Sequence, residues 1–233
     1  MPPKTHRQWT GALLIATPVL FMAAFTWLQI TFEYPDILRQ PADVVMQKFA
    51  TGGGGLVANW YLMVLAAGLF IPVAVMLQPY LARADAPYLP AATALGVTAG
   101  IVQMLGFTRW PFMVPGLAAA YLDPASSAAA RAAIEVTFNA LNLYAGVGIG
   151  ENLGYLFTAL WTVLIALAMT RSRIFSVWQG WLGIALAAGI LLGTLEPVGV
   201  SFAGVVNAAA YSLWAVWLVI LGLTLLMRKG AAE

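Results

Sequence analysis

Residues 152–170 read NLGYLFTALWTVLIALAMT, a run without one charged side chain. About 20 apolar residues cross a ~30 Å hydrocarbon core as a helix, so this stretch reads as a membrane span. Working outward, Thr10–Phe32, Leu56–Gln78, Leu89–Phe107, Val177–Leu195 and Phe202–Met227 read the same way. No segment shows the ten-residue alternation of a barrel strand. Hydrophobic residues make up 62% of the 233 positions and charged ones 9%, with a mean hydropathy of +0.86. A soluble domain carries about 25% charged residues; this chain has too few to cover a water-facing surface. The expected fold is all-α, a polytopic bundle of six transmembrane helices forming a single integral membrane domain over residues 1–233. The basic flank of the first segment resembles a signal peptide, but its apolar run is too long and no small-residue cleavage site follows, so it is expected to be retained.

The short loops set an orientation. With the N-terminus inside, the cytoplasmic segments carry Lys4, Arg7, Arg83, Arg171, Arg173, Arg228 and Lys229 against Asp85 and Glu233. The outer side carries Arg39, Lys48, Arg109 and Arg131 against Glu33, Asp36, Asp43, Asp123, Glu135, Glu151 and Glu196. This asymmetry follows the positive-inside rule. It predicts cytoplasmic termini in a plasma membrane, the inner membrane of a bacterium.

Both long loops, 33–55 and 108–151, then face outward, and each is expected to hold a short helix. In the first, Pro41 suits the opening turn and Gly52 the stop, with Val44, Val45 and Phe49 turned to the membrane. In the second, Asp123-Pro124 is the expected cap of a helix running to about Ala145. Arg131, Glu135, Asn139 and Asn142 share one face of it, beside Ile134, Phe138 and Leu141. Two readings stand for these helices: they lie on the membrane surface, or they roof an outward pocket.

Three outer span ends share a pattern: Glu33-Tyr34-Pro35, Arg109-Trp110-Pro111 and Glu196-Pro197 each place a charge just before a helix-stopping proline. Returning spans open on Gly52–Gly55 and on Gly146, Gly148 and Gly150, with a tyrosine near each start at Tyr61, Tyr155 and Tyr211. The pattern fits three parallel helical hairpins. Gly96-x-x-x-Gly100 and Gly189-x-x-x-Gly193 allow close helix approach, inside one bundle or along a homo-oligomer seam. Trp9, Trp27, Trp60, Trp110, Trp178 and Trp181 fall near span ends as interfacial anchors do; Trp161, Trp214 and Trp217 fall deeper, as packing residues. Pro18 and Pro72 are candidates to kink their spans and open a cavity.

Several chemistries are excluded. The chain has no cysteine and one histidine, His6, in its polar N-terminal tail. Thiolate nucleophiles, iron–sulfur clusters, bis-His haem and Ser-His triads therefore cannot be built from it. The net charge of +2 is too small and scattered for nucleic acid. No metal site, cofactor or catalytic residue is expected.

What remains is a gathering of charge at the outer span ends. Glu33, Arg109, Glu151 and Glu196 fall at similar depth, with Tyr34, Asn142 and Asn152 close in sequence. Ionisable groups in a bilayer are costly and so draw attention. Arg109 could pair with one or two carboxylates and leave another to bind a ligand or proton. The plain alternative is that each charge snorkels to the interface or that an ion pair only fixes the bundle.

Glu33-Tyr-Pro-Asp-Ile-Leu-Arg39, Gly52–Gly55 leading to Trp60-Tyr61, the run Gly150-Glu-Asn-Leu-Gly-Tyr-Leu-Phe-Thr-Ala-Leu-Trp161, and Leu195-Glu-Pro-Val-Gly199 together resemble an uncharacterised bacterial six-span membrane family with a domain of unknown function. The resemblance covers nearly the whole chain. It implies the fold and a membrane location, and brings no activity or site residue with it.

Three functional readings follow. The first is an outward-facing polar pocket that binds or transports a small or lipid-like ligand through Glu33, Arg109, Glu151, Glu196, Asn142, Asn152 and Tyr34. The second is an accessory or scaffold subunit of a membrane complex. The third, weakened by the lack of a usable His or Cys, is a carboxylate-dependent membrane enzyme. Expected partners are membrane lipids, such a ligand, and a second copy or a complex subunit.

Overall fold

The computed structural model describes residues 2–82 and 86–228. Four charges used in the orientation argument, Arg83, Asp85, Lys229 and Glu233, lie outside the described residues. The described chain is helical, and six of its helical stretches are long and apolar enough to cross a membrane. The protein is a multi-pass membrane bundle.

Span one is α1 (Lys4–Phe32). Span two joins α2 (Ala42–Gly68) to α3 (Phe70–Leu81). Span three joins α4 (Leu89–Phe112) to α5 (Val114–Leu122). Span four runs α6 (Ala128–Leu141), a π-helix (Asn142–Leu153) and α7 (Gly154–Met169). Span five is α8 (Val177–Leu192) with a 3₁₀ turn (Gly193–Val198), and span six is α9 (Ala203–Met227). Each span packs on the next in chain order, and α9 returns to α1, so the six close into a ring. The start of α1 and the end of α9 share one face, called here the terminal face; the opposite one is the far face.

The long loops are where sequence and structure part. Spans two, three and four are 40, 34 and 42 residues long. At 1.5 Å per residue, forty residues make about 60 Å of helix, twice the hydrocarbon thickness. The excess lies at the far face, so most of 33–55 and 108–151 extends the spans instead of forming separate surface helices. Pro41 does precede the helix, but Gly52 does not stop it: the chain bends at Gly53 (φ 55, ψ −153) and continues. Val45 and Phe49, expected to face lipid, are buried against the bundle, while Val44 stays exposed. In the second loop Asp123 does not cap the helix. Its Oδ1 accepts from the Ala125 N–H at 2.8 Å, forming a local turn. Ser127 then caps α6, accepting from the Ala130 N–H at 3.1 Å.

Prolines locate two of the breaks. A proline inside a helix clashes with the carbonyl four residues before it. For Pro72 that is Gly68, where α2 ends. Pro115 acts likewise on Pro111, and α4 gives way to α5 at Met113. Pro111 therefore lies inside α4 and does not stop span three.

Two aromatic cores fill the ring. On the terminal side Phe70, Trp161, Trp214 and Trp217 pack with leucines of α3, α7, α8 and α9. Trp214 donates to Thr162 Oγ1 and Trp217 to the Gln179 carbonyl, each at 2.9 Å. On the far side Phe32, Phe49, Trp60, Trp110 and Phe138 form the second core. Trp60 and Trp110 are thus no interfacial anchors. Both are fully buried, because spans two and three continue past them. Trp9, Trp27, Trp178 and Trp181 keep exposed rings. The small-residue motifs turn inward: a Cβ on Gly96 would sit 2.6 Å from Ala74 Cβ, and one on Gly189 2.7 Å from Ala210 Cβ. His6, whose place in a polar tail suggested full solvation, instead packs its Nδ1 2.9 Å from the Tyr80 hydroxyl.

Candidate functional site

Span one ends in an unusual way. Glu33 takes a left-handed conformation (φ 57), rare outside glycine, asparagine and aspartate. The turn throws the Glu33 carboxylate outward, where it pairs with Lys48 of α2. It also folds Tyr34 back into the far core, its ring edge-on to Trp60 at 5.0 Å. Burial, and secondarily the charge of Glu151, raise the Tyr34 phenol above its usual pKa, against the pull of Arg109. The phenol is therefore a neutral hydrogen-bonding group.

Arg109 is the centre of the site. Only 6% of it is exposed, and a slot cut by glycines admits it. Gly106 of α4 and Gly150 of the π-helix bring two backbones together: a Cβ on Gly106 would lie 2.5 Å from Gly150 Cα. A Cβ on Gly146 would lie 2.6 Å from Arg109 Nη2, so that glycine forms the wall on which the guanidinium lies. Arg109 Nη1 donates to the Gly106 carbonyl, and Nη2 donates to Asn142 Oδ1 at 3.0 Å. Tyr34 lies close enough for its phenol to feel the charge of the guanidinium. Its carbon stands 5.2 Å from the Trp110 ring centroid, within cation–π range.

Among the described residues Arg109 makes no ion pair, and its Nε has no hydrogen-bond partner. The Glu151 carboxylate, half-buried on the π-helix, lies in the field of Arg109 and of Glu196 but beyond pairing distance. π-helical turns are rare and concentrate at functional sites. This one sets Asn142, Gly146, Gly150 and Glu151 around one guanidinium.

The residues expected to form a site separate into two groups. Tyr34, Arg109, Asn142 and Glu151 come together. Glu33 is at the surface with Lys48, and Glu196 is exposed beside the start of α9, where a Cβ on Gly204 would meet its Oε2 at 2.9 Å. Asn152 reaches only the Thr194 carbonyl, at 3.5 Å. Among the described residues no three of His, Asp and Glu gather as metal ligands would. Sequence reasoning missed the glycine slot and the two buried tryptophans. The signal was present in Gly106, one helical turn before Arg109, and in the alternating Gly146, Gly148 and Gly150.

Toward the terminal face from this cluster, an apolar groove of about 510 Å³ opens between α1, the Gly68–Leu69 break and α4, lined by Leu20, Leu62, Leu65, Leu69 and Met104. It adjoins the two prolines expected to open a cavity, with Leu20 two residues past Pro18 and the break four residues before Pro72.

A family model described as a domain of unknown function, DUF4386, matches residues 9–222. The chain belongs to the DUF4386 family. The match reaches into all six spans and takes in every residue of the cluster, so the Arg109 slot lies within the DUF4386 domain. No curated protein and no solved structure matches the chain.

Proposed function

We propose that the protein binds a small, lipid-like ligand within the membrane, its polar end held by Arg109, Tyr34 and Asn142. The observation that carries this reading is the state of Arg109: a buried guanidinium with no carboxylate in pairing range and an unpartnered Nε. A buried charge left unpaired costs several kcal/mol, on the order of 3–5 when one partner is missing. A bound group that completes the pairing lowers that cost. The apolar groove supports a lipid-like body for the ligand: Met104 on its wall precedes Arg109 by five residues, roughly 7.5 Å of rise and 140° of turn on α4, so a ligand that reaches both must wrap this helix with an apolar chain.

Binding is favoured over transport through the bundle, because Trp161, Trp214, Trp217 and their leucine neighbours pack the terminal half. The scaffold reading loses the support of the small-residue motifs, which are used inside the bundle. The setting that fits best is a bacterial inner membrane with the terminal face in the cytoplasm, supported by the basic bias of that face.

The test is mass spectrometry of lipids and small molecules retained by the protein purified in maltoside detergent. A species enriched with the native protein and depleted with Arg109→Gln is the expected result. Identical retained profiles from two folded proteins would remove the reading.

A further inference from the structure

The buried side-chain atoms around the site that lack hydrogen-bond partners are all of one kind. Among the described residues, Trp60 Nε1, Trp110 Nε1 and Arg109 Nε are buried without partners. All three are donors, and an indole N–H and a guanidinium N–H can do nothing but donate. They belong to one cluster. The Trp60 and Trp110 rings stack at 4.6 Å and 7°, Arg109 stands 5.2 Å from the Trp110 centroid, and Tyr34 lies edge-on to Trp60 at 5.0 Å. Buried donors are normally satisfied; three adjacent ones lacking acceptors mark a place where acceptors arrive from elsewhere. Charge at the guanidinium points the same way, since Arg109 makes no ion pair among the described residues and Glu151, whose field reaches it, stands beyond pairing distance. An acidic cage that could attract a cation is not assembled, with Glu33 tied to Lys48 and Glu196 at the surface.

Resting on the ligand-binding reading above, we infer that the ligand is an anionic amphiphile, whose carboxylate or phosphate is received by Arg109 and the Trp60 and Trp110 indole N–H groups. The roof over this site is the first part of α2. Met46 and Phe49 close it, with Phe49 5.8 Å from Trp110 and nearly parallel. The roof ends at Gly53, Gly54 and Gly55, where an added Cβ would meet nothing within 4 Å. Entry then takes a swing of this segment on the glycines, with the Lys48–Glu33 pair opening and Phe49 leaving Phe32 and Trp110.

The test uses the full chain in maltoside micelles, which contribute no phosphate or carboxylate. Dodecanoate, dodecyl phosphate, inorganic phosphate and dodecylamine are titrated while the thermal unfolding midpoint and tryptophan emission are followed. Dodecanoate or dodecyl phosphate is expected to raise the midpoint and shift the emission. Inorganic phosphate doing so at equal concentration would overturn the amphiphile and make the ligand a free oxyanion. Arg109→Gln should weaken binding at least about tenfold, as loss of a charged hydrogen bond does. Trp110→Phe keeps a stacking ring, removes one N–H, and should weaken binding several-fold; it decides the matter if Arg109→Gln fails to fold. Equal affinities for native protein and Trp110→Phe would overturn the inference. Binding of dodecylamine alone would also overturn it while leaving a ligand site in place, and binding of no probe would overturn both readings.

Discussion

Gly146→Ala tests whether the Arg109 slot is built as described. A Cβ there would lie 2.6 Å from Nη2 and 2.7 Å from Cζ of a guanidinium pinned by Gly106 and Asn142. Overpacking of this kind costs about 1–3 kcal/mol, against a gain of roughly 0.8–1 kcal/mol for alanine over glycine in a helix. The net expectation is a loss of about 1 kcal/mol. Two residues on, a Cβ on Gly148 would meet only the Leu143 carbonyl at 3.4 Å, an ordinary contact. Gly148→Ala should therefore keep the gain, and the two variants should differ by about 2 kcal/mol. Urea unfolding in mixed micelles measures this. The double variant Gly146→Ala with Arg109→Ala should recover the Gly146→Ala loss, because the clashing group is gone. Gly146→Ala as stable as Gly148→Ala, or no coupling in the double variant, would refute the slot.

The hinge is tested at adjacent glycines. Gly53→Ala forces a side chain onto φ 55, ψ −153 and should destabilise by about 1–3 kcal/mol, whereas Gly54→Ala, in open space with helical neighbours, should be neutral or stabilising. Trp110→Ala should cost about 3–5 kcal/mol as a buried aromatic truncation, while Trp178→Ala, half exposed, should change micellar stability little. Glu33→Gln removes an ion pair whose acid is largely exposed, so a change of at most about 1 kcal/mol is expected in the same urea titration. The absence of cysteine makes orientation directly measurable. Ser126→Cys at the far face should react with an impermeant maleimide in intact cells, and Ser172→Cys only after permeabilisation; the reverse pattern would invert the topology.

The spans were legible in the sequence because their signal is long and one-dimensional, as in residues 152–170. Their true lengths were not. Helix propensity carries on through Ala42–Thr51 and α6, yet the polar residues there obscure the hydropathy that marks a span, while Pro111, Pro115 and Gly116 read as the end of a helix ahead of the apolar α5. Trp60 and Trp110 show the same limit: distance from an apparent span end suggested an interface, and the continuing helices buried them. Of the candidate site, Arg109, Tyr34, Asn142 and Glu151 were found by charge and proximity. Glu33 and Glu196 were grouped with them by depth alone. Depth does not determine the direction of a side chain; the left-handed turn at Glu33 decides that, and no residue pattern announced it. The glycine slot went unread because its meaning depends on which helix faces it.

The closing of the ring by α9 on α1 bears on how the molecule is made. Five of the six interfaces join spans that follow one another, and can form as each hairpin emerges during synthesis. The sixth joins the first span to the last. Its fit is close: a Cβ on Gly222 would lie 2.7 Å from the Gly11 carbonyl, and one on Gly11 2.6 Å from Leu226 Cγ. Until residues 203–227 are inserted, α1 keeps a small-residue edge open to any passing helix. The final span is therefore the clasp of the assembly, and a chain halted before it exposes the edge on which a quality-control protease or a wrong partner can act.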